Sequence, residues 1–291
     1  MTARDLIALL PGPAPHTLPR GTRAAQADGV TAIFGASRLS GLKTSRKSAL
    51  KGAVQRQERL EALMPAGTVL PVIPGTYLSP SDLPTLVACN RDMLNRLFAA
   101  LSGLVQYQLS VTWDRAAATA RFGTTDDSLE ALAAQLRAEM MAHLTVADDL
   151  QELPRSEDAV LNTVLLVNEP TDLDPALEAI DAIWTEGLRI RLIGPSPAVS
   201  FASLHLRHAT AGQVAAARAT LGLRELPDGL DTLSAARRAA VMAAPPEMQV
   251  SLREASDLLS AAIRAGGQPP ILADVWREGR AASDLNRKDA A

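Results

Sequence analysis

The tetrapeptide Gly194-Pro195-Ser196-Pro197 constrains this chain more than any other stretch. Two prolines one residue apart fix φ near about −65° and withdraw two N–H donors, so no sheet ladder runs straight through them. Gly194 opens backbone geometry, or a close approach, that a side chain forbids. Before the prolines, Leu188, Ile190 and Leu192 alternate with Arg189, Arg191 and Ile193, the period of a half-buried strand. After them, Phe201 to Arg207 alternates more loosely. The stretch reads as two strands joined by a rigid elbow, without a nucleophile, base or ligand set. Two readings stand open: a bend that locks strand order, or a partner-docking edge. The absence of aromatic anchor residues favours the bend.

The remaining periodicities place elements around it. Strands are expected at Asp5–Leu10, Val30–Phe34, Thr68–Ile73 (with Pro71 inside, hence an edge or a bulge), Leu104–Trp113 and Ala159–Val167. The near-continuous apolar run of the last marks it as central. Helices are expected over Lys43–Met64, with Leu50, Val54, Gln57, Leu60 and Leu63 near one face, then from Ser81 or Asp82 to Leu101, from Thr125 or Asp126 to His143 or Leu144, and from Asp172 or Asp174 to Trp184. His16–Asp28 and the acidic Asp148–Asp158 read as loops. Gln106 to Arg207 then runs strand, helix, strand, helix, strand, elbow, strand: an α+β sheet with helices on one face, of ferredoxin-like arrangement. Three alanine-rich helices come next, at Thr210–Leu221, Leu233–Met242 and Ser251–Ile263, and the charged end reads as frayed.

The 291 residues suffice for two or three modest domains, and 47% hydrophobic residues can fill them. The expected division is an N-terminal ferredoxin-like α+β domain over 1–78, a second α+β domain over 79–208, and a helical module over 209–291. A net charge of −3 gives no electrostatic case for nucleic acid. No apolar segment is long enough to span a membrane. One cysteine, Cys89, excludes an internal disulfide and suits a reducing cytoplasm.

Three stretches, in order, resemble a known family: TVLPVIPGTY (Thr68–Tyr77), LNTVLLVN (Leu161–Asn168) and LRIRLIGPSPAVSF (Leu188–Phe201). Together with the strand ending at Trp113 they are similar to the gas vesicle accessory proteins GvpF and GvpL. The matching positions are Leu70, Pro71, Gly75 and Thr76; Asn162, Leu166 and Val167; and Gly194, Pro195, Pro197, Ser200 and Phe201. Pro74 replaces a family Phe, Ser196 a Trp, and Ala198-Val199 a Pro-Tyr, so the elbow keeps its backbone residues and loses its aromatic surface. The resemblance implies two α+β domains, no catalysis, no cofactor, a place at the gas vesicle in the cytoplasm, and two kinds of partner: the small hydrophobic shell protein and other accessory proteins. The C-terminal helices are similar to a J-domain in outline. That family's His-Pro-Asp would fall near Ala244-Pro245-Pro246 and is absent, so a shared helical shape without chaperone stimulation is implied.

Residues able to carry other chemistry are few. His205 and His208, three apart on a strand, point to opposite faces and make no metal pair. His16 and His143 read as ordinary polar residues, and Cys89 as a small buried hydrophobe. Asp126-Asp127 reads as a helix cap, Asp148-Asp149 as a solvated loop. No GxGxxG or GxxxxGK[ST] occurs. Gly35-Ala36-Ser37-Arg38, ahead of Lys43, Arg46 and Lys47, reads as a loop into a basic helix rather than an anion cradle. Catalytic, metal and cofactor residues are therefore expected to be none. The competing function is a ferredoxin-like small-molecule enzyme or sensor, which needs a pocket with convergent polar groups. A general interaction scaffold with an unrelated partner is the third.

Overall fold

The computed structural model describes residues 3–37, 46–122 and 126–277. In chain order the strands and helices are β1 (Arg4–Pro11), β2 (Arg23–Ala27), β3 (Val30–Ser37), α1 (Arg46–Glu61), β4 (Leu70–Pro71), β5 (Tyr77–Leu78) and α2 (Leu83–Ala100). Next come β6 (Leu104–Trp113), α3 (Arg115–Phe122), α4 (Asp126–Ala142), β7 (Asp149–Glu152), β8 (Ala159–Asn168), α5 (Asp174–Ile183) and β9 (Leu188–Ser196). The chain closes with β10 (Ser203–His208), α6 (Ala211–Thr220), α7 (Leu230–Ala243), α8 (Gln249–Arg264) and β11 (Ile271–Trp276). Cα proximity divides it into two units, one of Met1–Arg59, Leu70–Ala100 and Leu204–Val275, the other of Leu60–Val69, Leu101–Ser203 and Trp276–Ala291.

The first unit is built on β1, whose Leu6, Ile7, Leu9 and Leu10 are all buried. Each such side chain contributes about 1.5–3 kcal/mol on burial. The sheet runs β2-β3-β1-β4, with β5 also pairing with β1. The stretch expected to be a loop, His16–Asp28, instead supplies β2. Asp28 and Gly29 both take positive φ, +46° and +79°, and close a tight hairpin onto β3 with Ala27 opposite Val30. The expected strand Thr68–Ile73 pairs only at Leu70 and Pro71, on the outer edge of the sheet, where a proline costs no ladder bond. Beyond it Val72 bridges Leu204 in parallel. On α1 the expected inward face holds only at its end: Leu60, and Leu63 just past the helix, are buried, whereas Leu50 and Val54 are 67% and 51% exposed and Arg56 is buried. Its Nη1 donates to both oxygens of Asp5, at 3.0 and 2.8 Å, while Nη2 donates to the Leu6 and Val72 carbonyls at 2.8 and 2.7 Å.

The C-terminal helices α6 to α8 fall within this same unit. Leu252, Ala255 and Leu259, at helical spacing on α8, pack with Ala217 of α6, Leu221 just past its end and Leu233 of α7. Thr210 and Gln213 form a capping box at the start of α6. The far side of α8 sets Ala261 and Ala265 against Cys89 of α2. The charged end expected to fray lies outside the described residues. After α8, β11 pairs with β10. Thus β10 leaves the sheet that the elbow was expected to continue. Buried Asn90 holds β11 to α2: its Nδ2 donates to the Ile271 carbonyl at 2.7 Å, and its Oδ1 accepts from the Ala273 N–H at 2.9 Å.

The second unit is a four-stranded antiparallel sheet in the order β7-β8-β6-β9. The stretch Asp148–Asp158, expected as a loop, supplies its edge strand β7. Polar residues suffice there because an edge strand buries little. One face of β6, with Val105, Leu109, Val111 and Trp113, meets Leu161, Leu165 and Val167 of β8 and Leu188 of β9. That face is roofed by Ala118 of α3, by Leu129, Leu136 and Met140 of α4, and by Ile180 of α5. Alternation puts Gln106, Gln108, Ser110 and Thr112 on the opposite face.

Candidate functional site

The elbow is tied to β6 through Gln106, on that opposite face. At Gly194 φ is +145°, and a Cβ there would lie 2.6 Å from Tyr107 Cδ1 and 2.8 Å from the Gln106 carbonyl oxygen. Only glycine fits both the dihedral and the approach. The Gly194–Pro195 peptide is cis. Gln106 then anchors the far side of the elbow. Its carbonyl accepts from Ser196 Oγ at 3.3 Å, its Oε1 accepts from the Ser200 N–H at 2.8 Å, and its Nε2 donates to Ser200 Oγ at 3.3 Å. The chain turns tightly, with the Val199 N–H on the Pro197 carbonyl and the Ala202 N–H on the Ala198 carbonyl. Phe201 is 1% exposed and Pro197, Ala198 and Ala202 are buried, whereas Gly194 and Pro195 face solvent. Sequence reasoning missed Arg277: its Nε donates to the Phe201 carbonyl at 3.0 Å and its Nη2 pairs with Asp149 at 2.8 Å. No sequence signal marked it, since its partners lie on remote elements.

Asn162 joins the elbow on this face of the sheet. Its Oδ1 accepts from Gln108 Nε2 at 3.0 Å, and its Nδ2 donates to the Pro154 carbonyl at 2.7 Å, which ties down the β7–β8 connection. In the first unit, Pro71 is buried in β4 and Gly75 has φ +84°. The Thr76 N–H bonds the Ile73 carbonyl at 3.3 Å, so Pro74-Gly75 fills the two central places of a turn whose second position demands glycine. The Thr76 carbonyl then accepts the Leu6 N–H at 2.9 Å. Pro71, Gly75, Thr76, Asn162, Gly194, Pro195, Pro197 and Phe201 thus fall into two sets, one per unit, and each set shapes backbone.

The same residues offer no reactive constellation. Among the described residues no three His, Cys, Asp or Glu side chains gather as metal ligands. Cys89 is buried, donates to the Ala261 carbonyl at 3.3 Å, and has its thiol pKa pushed up by burial. His16, His205 and His208 are exposed and His143 is half-buried. Asp149 pairs with Arg277, and Asp148 accepts from Asn168. The side chains of Asp126 and Asp127 lie outside the described residues, as do Arg38 and Lys43 of the considered anion loop. A cavity of about 280 Å³ beside Trp113 is lined by Arg115, Glu130, Arg155 and Glu157, among others. That lies just under the roughly 300 Å³ at which small-molecule sites begin. Among the described residues no helix is long and apolar enough to cross a membrane.

The chain is therefore a mixed α+β protein of antiparallel sheets and helices. Residues 14–144, just under half of the chain, match the family model described as "Gas vesicle synthesis protein GvpL/GvpF". Two solved structures share its fold: the gas vesicle protein GvpF from Anabaena sp. PCC7120 (TM-score 0.58, 21% identity, 68% of this chain and 94% of that one), and GvpF from Microcystis aeruginosa (TM-score 0.54, 21% identity, 68% and 98%). No curated protein matches. Pro71, Gly75 and Thr76 lie inside the family-matched segment, while Asn162, Gly194, Pro195, Pro197 and Phe201 lie beyond its end.

Proposed function

We propose that this chain is a non-enzymatic accessory protein of gas vesicle assembly, acting in the cytoplasm and at the gas vesicle. Its partners on this reading are the small hydrophobic shell protein and other accessory proteins. The observation that carries the reading is the match of residues 14–144 to the GvpL/GvpF family, and the likeness to two GvpF structures agrees with it. A shell subunit with an apolar gas-facing side aggregates when bare in water. A soluble protein with sheet edges or apolar surface can hold such a subunit until it joins the shell. The order β6, α3–α4, β7, β8, α5, β9 in an all-antiparallel sheet supports a ferredoxin-like second unit. The test is co-expression of the shell protein with the tagged full chain, followed by capture on the tag. Retention of the shell protein above an unrelated α+β control is expected, and its absence sinks the proposal.

A further inference from the structure

We propose that the outer edge of β9 takes up an extended segment of a partner protein in which acidic and apolar residues alternate, adding it as a further strand to the second unit's sheet. The sheet ends at β9: β6 pairs with one side of it, and among the described residues no strand pairs with the other. An edge strand turns the N–H and C=O of alternate residues outward, which makes it a template for strand addition. The side chains decide what fits. Alternation sends Arg189 and Arg191 to one face, beside Thr112 and Ser110 of β6, and Ile190 and Leu192 to the other, on the rim of the core. Both arginines are exposed, and among the described residues neither makes a salt bridge. Ile190 and Leu192 are only half-buried, and Ile193, just beyond the arginines, is 45% exposed.

Charged side chains on an edge strand also serve to repel other strands. The opposite edge, β7, is guarded in that way: Asp149 and Glu152, three apart, put charge on both faces. On β9 the charge lies on one face only, and the apolar rim on the other is left open. A strand laid beside it must carry carboxylates on the arginine side and apolar side chains on the core side, which in sequence is a period of two. A basic strand would meet Arg189 and Arg191 with like charge, and a wholly apolar one would cover them without a partner. The inference concerns the chemistry of this edge and stands independently of the gas vesicle reading.

A synthetic peptide about eight residues long, alternating valine and glutamate and blocked at both ends, tests it on the full chain. Its controls are a peptide alternating valine and lysine, and one with the same valines and glutamates gathered into blocks. Fluorescence anisotropy reads binding, and hydrogen exchange reads protection of the backbone. The alternating acidic peptide should bind, less well as salt rises, and should slow exchange at the β9 amides, whereas neither control should. Arg189→Glu together with Arg191→Glu should weaken binding by roughly tenfold or more, with circular dichroism unchanged because both side chains are exposed. The same variant should take up the lysine peptide instead. An acidic peptide that does not bind overturns the proposal. So does binding indifferent to the double reversal, binding that leaves β9 exchange unaltered, or a block peptide that binds as well as the alternating one.

Discussion

Gly194 combines φ +145° with two contacts a methyl group could not make, on Tyr107 and on the Gln106 carbonyl. Gly194→Ala should therefore lower unfolding free energy by about 1–3 kcal/mol. Chemical denaturation would measure this, and an unchanged midpoint would show that the elbow relaxes freely. Arg56 makes the stronger claim. Replacing it with leucine leaves Asp5 and the Leu6 and Val72 carbonyls without its guanidinium, at a cost of about 3–5 kcal/mol. Lysine in its place restores charge but not the fork, and should recover only part of the loss. Cys89 gives a test in pH. Burial raises its thiol pKa, so the unfolded chain ionises first as pH climbs. Stability owed to this group is intact below the ordinary thiol range and falls as pH rises through it toward the folded value. Alkylation at neutral pH should need denaturant, and rapid labelling of the native chain would contradict the burial. Gly194, Pro195 and Pro197 were legible because backbone chemistry is local. Arg56 was not, because among the basic residues of its helix nothing in the sequence marks the one that meets Asp5, fifty-one residues away.

At the scale of elements, hydrophobic patterning located β6, β8, α2 and α5 within a few residues, because β6, α2 and α5 each bury one face on a core and β8 is one apolar run. It failed for β2, β7 and β11. These are edge or small-ladder strands that need little apolar surface, so their residues do not alternate. For β2 a signal was present: Asp28-Gly29 between two extended runs is a two-residue hairpin turn. For β11 the missing information was Asn90, a polar residue on α2 whose amide takes the place of a neighbouring strand. Asn90→Leu should leave the Ala273 N–H and the Ile271 carbonyl unpaired. The expected loss is about 1–3 kcal/mol, with hydrogen exchange at Ala273 accelerated well beyond that of β6 amides. Equal protection in the variant and the parent would mean that β11 is held by β10 alone.

For the whole chain, the elements of each unit are not contiguous in sequence, and reading along the chain cannot reveal this. Residues 209–291 look like an appendage because composition changes there, yet α6 to α8 share a unit with β1, β3 and α2. Their attachment rests on small residues, Ala261 and Ala265 against Cys89, and on Arg264–Asp92, an exposed pair worth little by itself. Small residues give close helix contact without a strong hydrophobic pattern, so the sequence carried no sign of the docking. The physical consequence differs sharply between the two views. If the helices were a free module, a chain ending at His208 would keep the stability and thiol protection of the parent. With α8 and β11 packed on α2, that truncation strips Cys89 and Asn90 of their partners and bares the apolar face around them. The truncated chain should therefore melt earlier than the parent, expose its thiol to alkylation without denaturant, and associate through the uncovered face of α2. Thermal melts and thiol labelling on the two chains side by side decide the matter, and a truncated chain as stable and as unreactive as the parent would return these helices to the status of an appendage.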